Sequence, residues 1–251
     1  MSCVVCETTG RGAMLISAVL SEKGRREINE DSIGFMTDGD AGFFVLADGL
    51  GGHGQGEVAS RLVTEQAKDH YCENPNDLDG CFIKSQNRLI DEQIRTNASE
   101  QLKTTMVCLY VDEEKARWGH IGDSRLYYFV AGKLSKRTLD HSVPQMLVTI
   151  GEIKEKEIRG HEDRNRLTRV LGMEWDVPKY ELSEEIVLSG KDVFLLCSDG
   201  FWEWITERDM EKTLNKSDSP AKWISMMESK ILKNGSGKNM DNYSAIAVFA
   251  E

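Results

Sequence analysis

Apolar residues along the chain cluster in short runs of strand length. Residues 14–20, 32–36 and 42–47 read as strands near the start. The spacing then changes to that of helices. Over 56–71, Val58, Leu62, Val63 and Ala67 share one face, and a second helix is expected over 81–96, with Ile83, Leu89, Ile90 and Ile94 apolar. Strands return at 104–111, 116–121 and 126–130. Residues 142–150 read as a helix, and a charged, partly loopy stretch runs to about residue 179. Strands are expected at 182–188, 192–197 and 244–250. Ser219 before Pro220 suits an N-cap and first helical position. Asn234-Gly235 suits the end of that helix. Strands often follow strands directly, which favours antiparallel sheets with helices packed outside over a regular βαβ alternation. With no linker in view, residues 13–251 form one domain, after a flexible tail at 1–12.

Composition narrows the function classes. The 251 residues are 40% hydrophobic and 29% charged with only 4 Pro, as in a globular chain rather than a disordered or Pro-rich one. A net charge of −11 disfavours nucleic acid as a partner. The longest apolar run, 13–20, is far short of the ~18 residues of a membrane span. The N-terminus carries no secretory pattern. Cys108 and Cys197 lie within apolar runs, where a free thiol acts as a small hydrophobe. Cys3 and Cys6 form a lone C-x-x-C with no second pair, a weak metal signal. Together these point to a reducing, cytoplasmic setting.

The positions of the acids carry more. Three apolar runs each deliver an aspartate at their C-terminal end: Asp48 after 43–47, Asp123 after 118–122 and Asp199 after 193–198. A hairpin turning near residue 39 or 40 sets Asp31 opposite Asp48. A turn at 112–115 brings Thr104 near Asp123. If the last strand is antiparallel to 193–197, Asp241 shares the edge of Asp199. With Glu30 beside Asp31, six carboxylates gather at one end. Like charges so close repel strongly at reduced dielectric. Divalent cations relieve that repulsion, and an all-oxygen donor set suits Mg²⁺ or Mn²⁺. Gly49 fits a backbone carbonyl ligand, since no side chain blocks approach.

The ordered fragments Arg26-x-x-Asn29-Glu30-Asp31, Asp48-Gly49-Leu50-Gly51-Gly52-His53, Thr104-Thr105, Gly122-Asp123-Ser124-Arg125, Ser198-Asp199-Gly200 and Asp241-Asn242 resemble the PPM-type metal-dependent serine/threonine protein phosphatases. The resemblance spans about residues 16–250. Asp140-His141-Ser142 and residues 166–172 are similar to the bacterial branch. It implies an α+β fold, a four-layer αββα sandwich of two antiparallel sheets flanked by helices. It implies hydrolysis of phosphoserine and phosphothreonine in proteins by a metal-activated water, opposing a serine/threonine kinase. It also implies two Mn²⁺ or Mg²⁺ per site, with a weaker third.

By the same resemblance, Asp48 bridges the two metals and Gly49 offers its carbonyl. Asp199 and Asp241 complete one ion, Glu30 and Asp31 serve the other through waters, and Asp123 belongs to the third. Arg26 holds phosphate through its planar fork. The partners implied are phosphorylated proteins and a cognate kinase, with no nucleic acid, no membrane and a monomeric chain.

Two departures stand out. Leu50 occupies the position where many eukaryotic members have a histidine proposed as general acid. Lys103 stands where a glycine usually precedes Thr104-Thr105. Residues 139–179 match the family's variable flap, in which Arg159, Arg164, Arg166 and Arg169 concentrate positive charge, either to guide a phosphorylated partner or as a solvated face. Trp202 and Trp204, just after Asp199-Gly200, read as core.

Overall fold

The computed structural model describes residues 4–7, 15–38, 41–51, 55–98 and 101–250. In chain order the elements are β1 (Val4–Glu7), β2 (Leu15–Glu22), β3 (Asp31–Asp38), β4 (Ala41–Asp48), α1 (Gly56–Glu73), α2 (Leu78–Thr96), β5 (Met106–Val111), β6 (Lys115–Ile121), β7 (Arg125–Val130) and β8 (Lys133–Arg137). Then come α3 (Val143–Thr149), a 3-10 helix (Glu155–Gly160), β9 (Glu181–Leu182), β10 (Ile186–Val187), β11 (Asp192–Cys197), α4 (Asp199–Trp202), α5 (Glu207–Leu214), α6 (Pro220–Asn234) and β12 (Tyr243–Ala250). One sheet runs β1-β2-β12-β11-β7-β8. The other runs β10-β6-β5-β4-β3, with β9 also on β6. Every named pairing is antiparallel.

The continuous apolar runs are explained by burial on both faces of each central strand. In β4, Phe44 and Leu46 face the other sheet, while Phe43, Val45 and Ala47 pack with Ala59, Val63 and Ala67 of α1. In β11, Phe194 and Leu196 join the inter-sheet core, and Val193, Leu195 and Cys197 join a third cluster with Trp223, Ile224 and Met227 of α6. The result is the expected αββα sandwich with three apolar layers. Burying each such side chain stabilises by about 1.5–3 kcal/mol. Ser219 caps α6 by accepting the Lys222 N–H, with Pro220 in the first turn. Cys81, Cys108 and Cys197 are buried free thiols. No helix among the described residues is long and apolar enough to cross a membrane.

The structure departs from the sequence expectation in a few places. The run at 182–188 is not one strand but β9 and β10. Between them the Ser183 hydroxyl accepts the Trp118 N–H at 3.0 Å, in place of a strand carbonyl. Within the expected N-terminal tail, β1 pairs with β2, Val4 opposite Val19, and covers an edge that would otherwise be open. The rest of 1–12, including Cys3, lies outside the described residues, as does His53. The edge strand β8 is polar, which hid it from an apolar-pattern reading. Helices α4, which opens with Asp199, and α5 are short and follow β11.

Candidate metal centre

The carboxylates meet because antiparallel pairing puts strand ends and strand starts at the same edge. Asp31 and Asp48 are register partners in β3 and β4. Cys197 pairs with Ala245, so Asp199 just past β11 and Asp241 just before β12 share one edge. Met106 pairs with Ile121, and two steps further the same register relates Thr104 to Asp123. Since the two sheets are stacked, these edges converge. A cleft of about 330 Å³ there is lined by Arg26, Glu30, Asp48, Gly49, Asp123, Asp199 and Asp241, together with Leu50, Asn165, Leu167 and Asn242. Asp31 is not part of that lining and accepts the Ser198 hydroxyl at 2.8 Å.

Several side chains that the motif reading left without a role hold this geometry. The Thr105 hydroxyl accepts the Asp48 N–H at 3.0 Å, and the Thr104 hydroxyl donates to the Asp48 carbonyl at 2.7 Å. Thr104 also bridges Gly49 and Leu171, so the Lys103 departure leaves this pairing intact. Gly49 packs against the start of α1, where a Cβ would overlap the Gly56 carbonyl. Trp202 donates its indole N–H to the Asp123 carbonyl at 3.0 Å. The Arg125 guanidinium lies 3.5 Å over the Trp202 ring. These hydroxyls and the indole were legible only as neighbours of the aspartates, not as their supports.

The electrostatics are those of crowded acids. Burial pushes the Asp31 carboxyl up to about 7, with Asp199 and Asp241 adding to it against hydrogen bonds from Ser244 and Ser198. Burial and then the charge of Asp241 push Asp199 up to about 6. Asp48 is held well above the usual carboxylate range by burial and by the charges of Asp31, Asp199, Asp123 and Asp241. Asp123 is raised too, by burial and by Asp199. Burial and Glu57 raise Glu30. Asp31 Oδ1 is buried with no hydrogen-bond partner. An orphaned anionic oxygen inside an all-oxygen, net-negative cluster is what a hard divalent cation would satisfy, so the residues present fit Mg²⁺ or Mn²⁺.

A second cluster, His120, His141 and Glu181, has candidate ligand atoms within 4.8 Å of one another. The His141 ring has no free lone pair to offer a cation there. His141 Nδ1 accepts the Gly122 N–H at 3.1 Å, so the proton sits on Nε2, which faces Glu181 at 3.2 Å. His120 donates from Nε2 to the Leu139 carbonyl at 2.7 Å. Burial lowers both rings, His141 to about 4, so they stack as neutral imidazoles near neutrality.

The flap arginines do not form a free basic patch. Arg159 pairs with Glu207 at 2.6 Å, Arg164 with Glu203 at 3.0 Å, and Arg166 and Arg169 with Asp163 and Glu181 at 3.4 Å each. Trp202 is core, as expected, and Trp204 packs partly buried against the same cluster.

Residues 21–235 match the family model described as protein phosphatase 2C. A serine/threonine phosphatase of Listeria welshimeri is 30% identical over 79% of this chain and 82% of its own length. The crystal structure of the serine/threonine phosphatase Stp1 from Staphylococcus aureus superposes with a TM-score of 0.84, at 27% identity, over 97% of this chain and 98% of that one. The catalytic domain of the phosphatase PstP, solved with 2 manganese ions, superposes with a TM-score of 0.79 at 26% identity, over 94% and 98% of the two chains. With the strand-end aspartates in one cleft and the family match spanning residues 21–235, the chain belongs to the protein phosphatase 2C family.

Proposed function

We propose that the chain removes phosphate from phosphoserine and phosphothreonine of protein substrates in this cleft, opposing a serine/threonine kinase, as a cytoplasmic monomer. The observation that carries this reading is the convergence of Asp48, Asp123, Asp199 and Asp241 on one cleft that also holds an arginine.

Asp48, Asp199, Asp241 and the Gly49 carbonyl are the residues that would hold two Mn²⁺ or Mg²⁺ ions, with Glu30 and Asp31 beside the second and Asp123 at a weaker third. Bound there, the ions supply Lewis acidity toward phosphate and an activated water nucleophile. Arg26 lies at the cleft with its guanidinium 2.6 Å from Asp241, and its planar fork is the group that would bind two phosphate oxygens. Leu50 has no proton to give, so the leaving alkoxide is not protonated by the residue at that position. Relatives named as serine/threonine phosphatases and a manganese-bound neighbour support the reading.

The test is phosphate release from a phosphothreonine peptide as Mn²⁺ or Mg²⁺ is titrated. Turnover that depends on the ion is expected. Turnover unaffected by a chelator would remove the metal from the mechanism, and none at all would reject the phosphatase reading.

A further inference from the structure

Arg26 sits on the 23–30 loop between β2 and β3, a stretch of turns and bends without strand or helix bonding of its own. We propose that Asn242 is the positioning residue that fixes this loop and thereby sets the Arg26 guanidinium at the cleft. The proposal rests on the phosphatase reading for its kinetic consequence.

Asn242 directly follows Asp241 and is 5% exposed. Its Nδ2 donates to the Lys23 carbonyl at 3.0 Å and to the Ile28 carbonyl at 2.9 Å. Its Oδ1 accepts the Glu30 N–H at 2.9 Å. One buried amide thus uses both donors and its acceptor on a single loop, gripping it on either side of Arg26. The amide suits this task because it offers both donors and an acceptor from one planar group. The backbone adds to the same seam. Arg25 N–H donates to the Met240 carbonyl at 3.1 Å. Gly24, with φ +58°, lies so close to the Asp241 carbonyl that a Cβ would overlap it. Residues 240–242 therefore serve as the template for the loop, and Asp241 meets Arg26 as a consequence.

Losing the amide takes the partner from the Ile28 carbonyl and the Glu30 N–H in a nearly closed site, while the Lys23 carbonyl keeps the Arg26 N–H at 3.1 Å. The loop is otherwise exposed at Arg26, whose side chain is 49% accessible, so the loss falls on the placing of Arg26 more than on the core.

The experiment uses the full chain with Mn²⁺ and the variants Asn242→Leu, Asn242→Ala, Arg26→Ala and the double variants. Leucine keeps the volume without adding charge, and alanine serves if leucine does not fold. Steady-state kinetics on a phosphothreonine peptide, calorimetric binding of inorganic phosphate and Tm are measured. Each Asn242 variant is expected to raise KM and the phosphate Kd about tenfold, the effect of about 1.4 kcal/mol, while kcat changes less than about threefold. In the Arg26→Ala background the same change should add less than about twofold, because the two residues act as a unit. Full multiplication of the two effects overturns the proposal, as does an Asn242 variant with lowered Tm but unchanged phosphate affinity. If the wild type binds phosphate yet cleaves no peptide, the phosphatase reading fails and the phosphate arm still decides Asn242. If the wild type binds no phosphate, both fall.

Discussion

Arg26 Nη2 lies 2.6 Å from Asp241 Oδ2, joining two residues 215 positions apart in the sequence. The side chains are 49% and 32% exposed, so the pair adds no more than about 1 kcal/mol to stability. Its consequence is orientation. The hydrogen bond and charge of Asp241 also hold the guanidinium pKa above its ordinary value, so Arg26 is cationic at any working pH. Arg26→Ala is expected to lower kcat/KM by about 10- to 100-fold, the loss of charge-assisted hydrogen bonds of ~1.5–3 kcal/mol. Arg26→Lys should recover only part, since an ammonium cannot bind two oxygens in a plane. Equal kcat/KM for the three proteins would exclude a phosphate contact.

Asp48 is the most crowded of the acids. Burial and four neighbouring carboxylates raise its pKa, so its ionised form is a burden on the metal-free fold. Asp48→Asn should therefore leave the metal-free Tm unchanged or raise it by a few degrees, at ~2–4 °C per kcal/mol for a chain of this size. The same substitution should abolish the Mn²⁺-dependent rise in Tm. Turnover should fall at least about 100-fold, as expected for loss of several kcal/mol of metal-assisted stabilisation. A variant with wild-type turnover would remove Asp48 from the site.

The reach of the sequence can be judged from these same residues. Asp31 opposite Asp48 was legible because a short hairpin fixes register, and both the turn and the flanking apolar runs were plain. The edge shared by Asp199 and Asp241 followed from one assumption, that β11 and β12 are antiparallel. What holds the acids in place was not legible. Trp202 reaches the Asp123 carbonyl across 79 positions, and Ser198 reaches Asp31 across 167. Such contacts depend on how the two sheets stack, which periodicity does not encode. The partners of the flap arginines were hidden for the same reason. Their density along the chain is real, but each meets a carboxylate, two of them on α4–α5 neighbours Glu203 and Glu207.

Behind the centre, Arg125 and Asp140 form a buried pair with bonds of 2.7 and 2.6 Å, their side chains 2% and 1% exposed. Arg125 also donates to the Tyr127 hydroxyl at 2.9 Å. Removing one partner strands a buried charge, so Asp140→Asn should cost about 3–5 kcal/mol and lower Tm by roughly 6–20 °C. Trp202→Phe tests the other half of the arrangement. It keeps a ring beneath the Arg125 guanidinium, deletes the bond to the Asp123 carbonyl and trims the indole's packing in the core. A small loss of Tm with a raised Mn²⁺ requirement for turnover is expected. A Tm loss as large as that of Asp140→Asn would show that the ring serves the core alone.

The raised acids make a signed prediction about pH. In the metal-free protein Asp31 and Asp199 are pushed up to about 7 and about 6, from an ordinary 3.8. The folded state then binds more protons than the unfolded chain between these values. Their contribution to stability is in full below the unfolded value and is lost as pH rises through about 6 and 7. Glu181, Glu207 and Asp209 are held below the usual range and act in the opposite sense, losing their contribution as pH falls. The comparison is therefore with Asp31→Asn rather than with the raw profile. In chelator, the wild type should lose Tm relative to Asp31→Asn as pH rises from about 4 to about 8. Excess Mn²⁺ replaces the protons, so at about pH 8 it should raise wild-type Tm by roughly 5–10 °C at 100-fold over Kd, and by much less at about pH 5. A Mn²⁺ shift of equal size at both pH values would show that the ion binds away from these carboxyls.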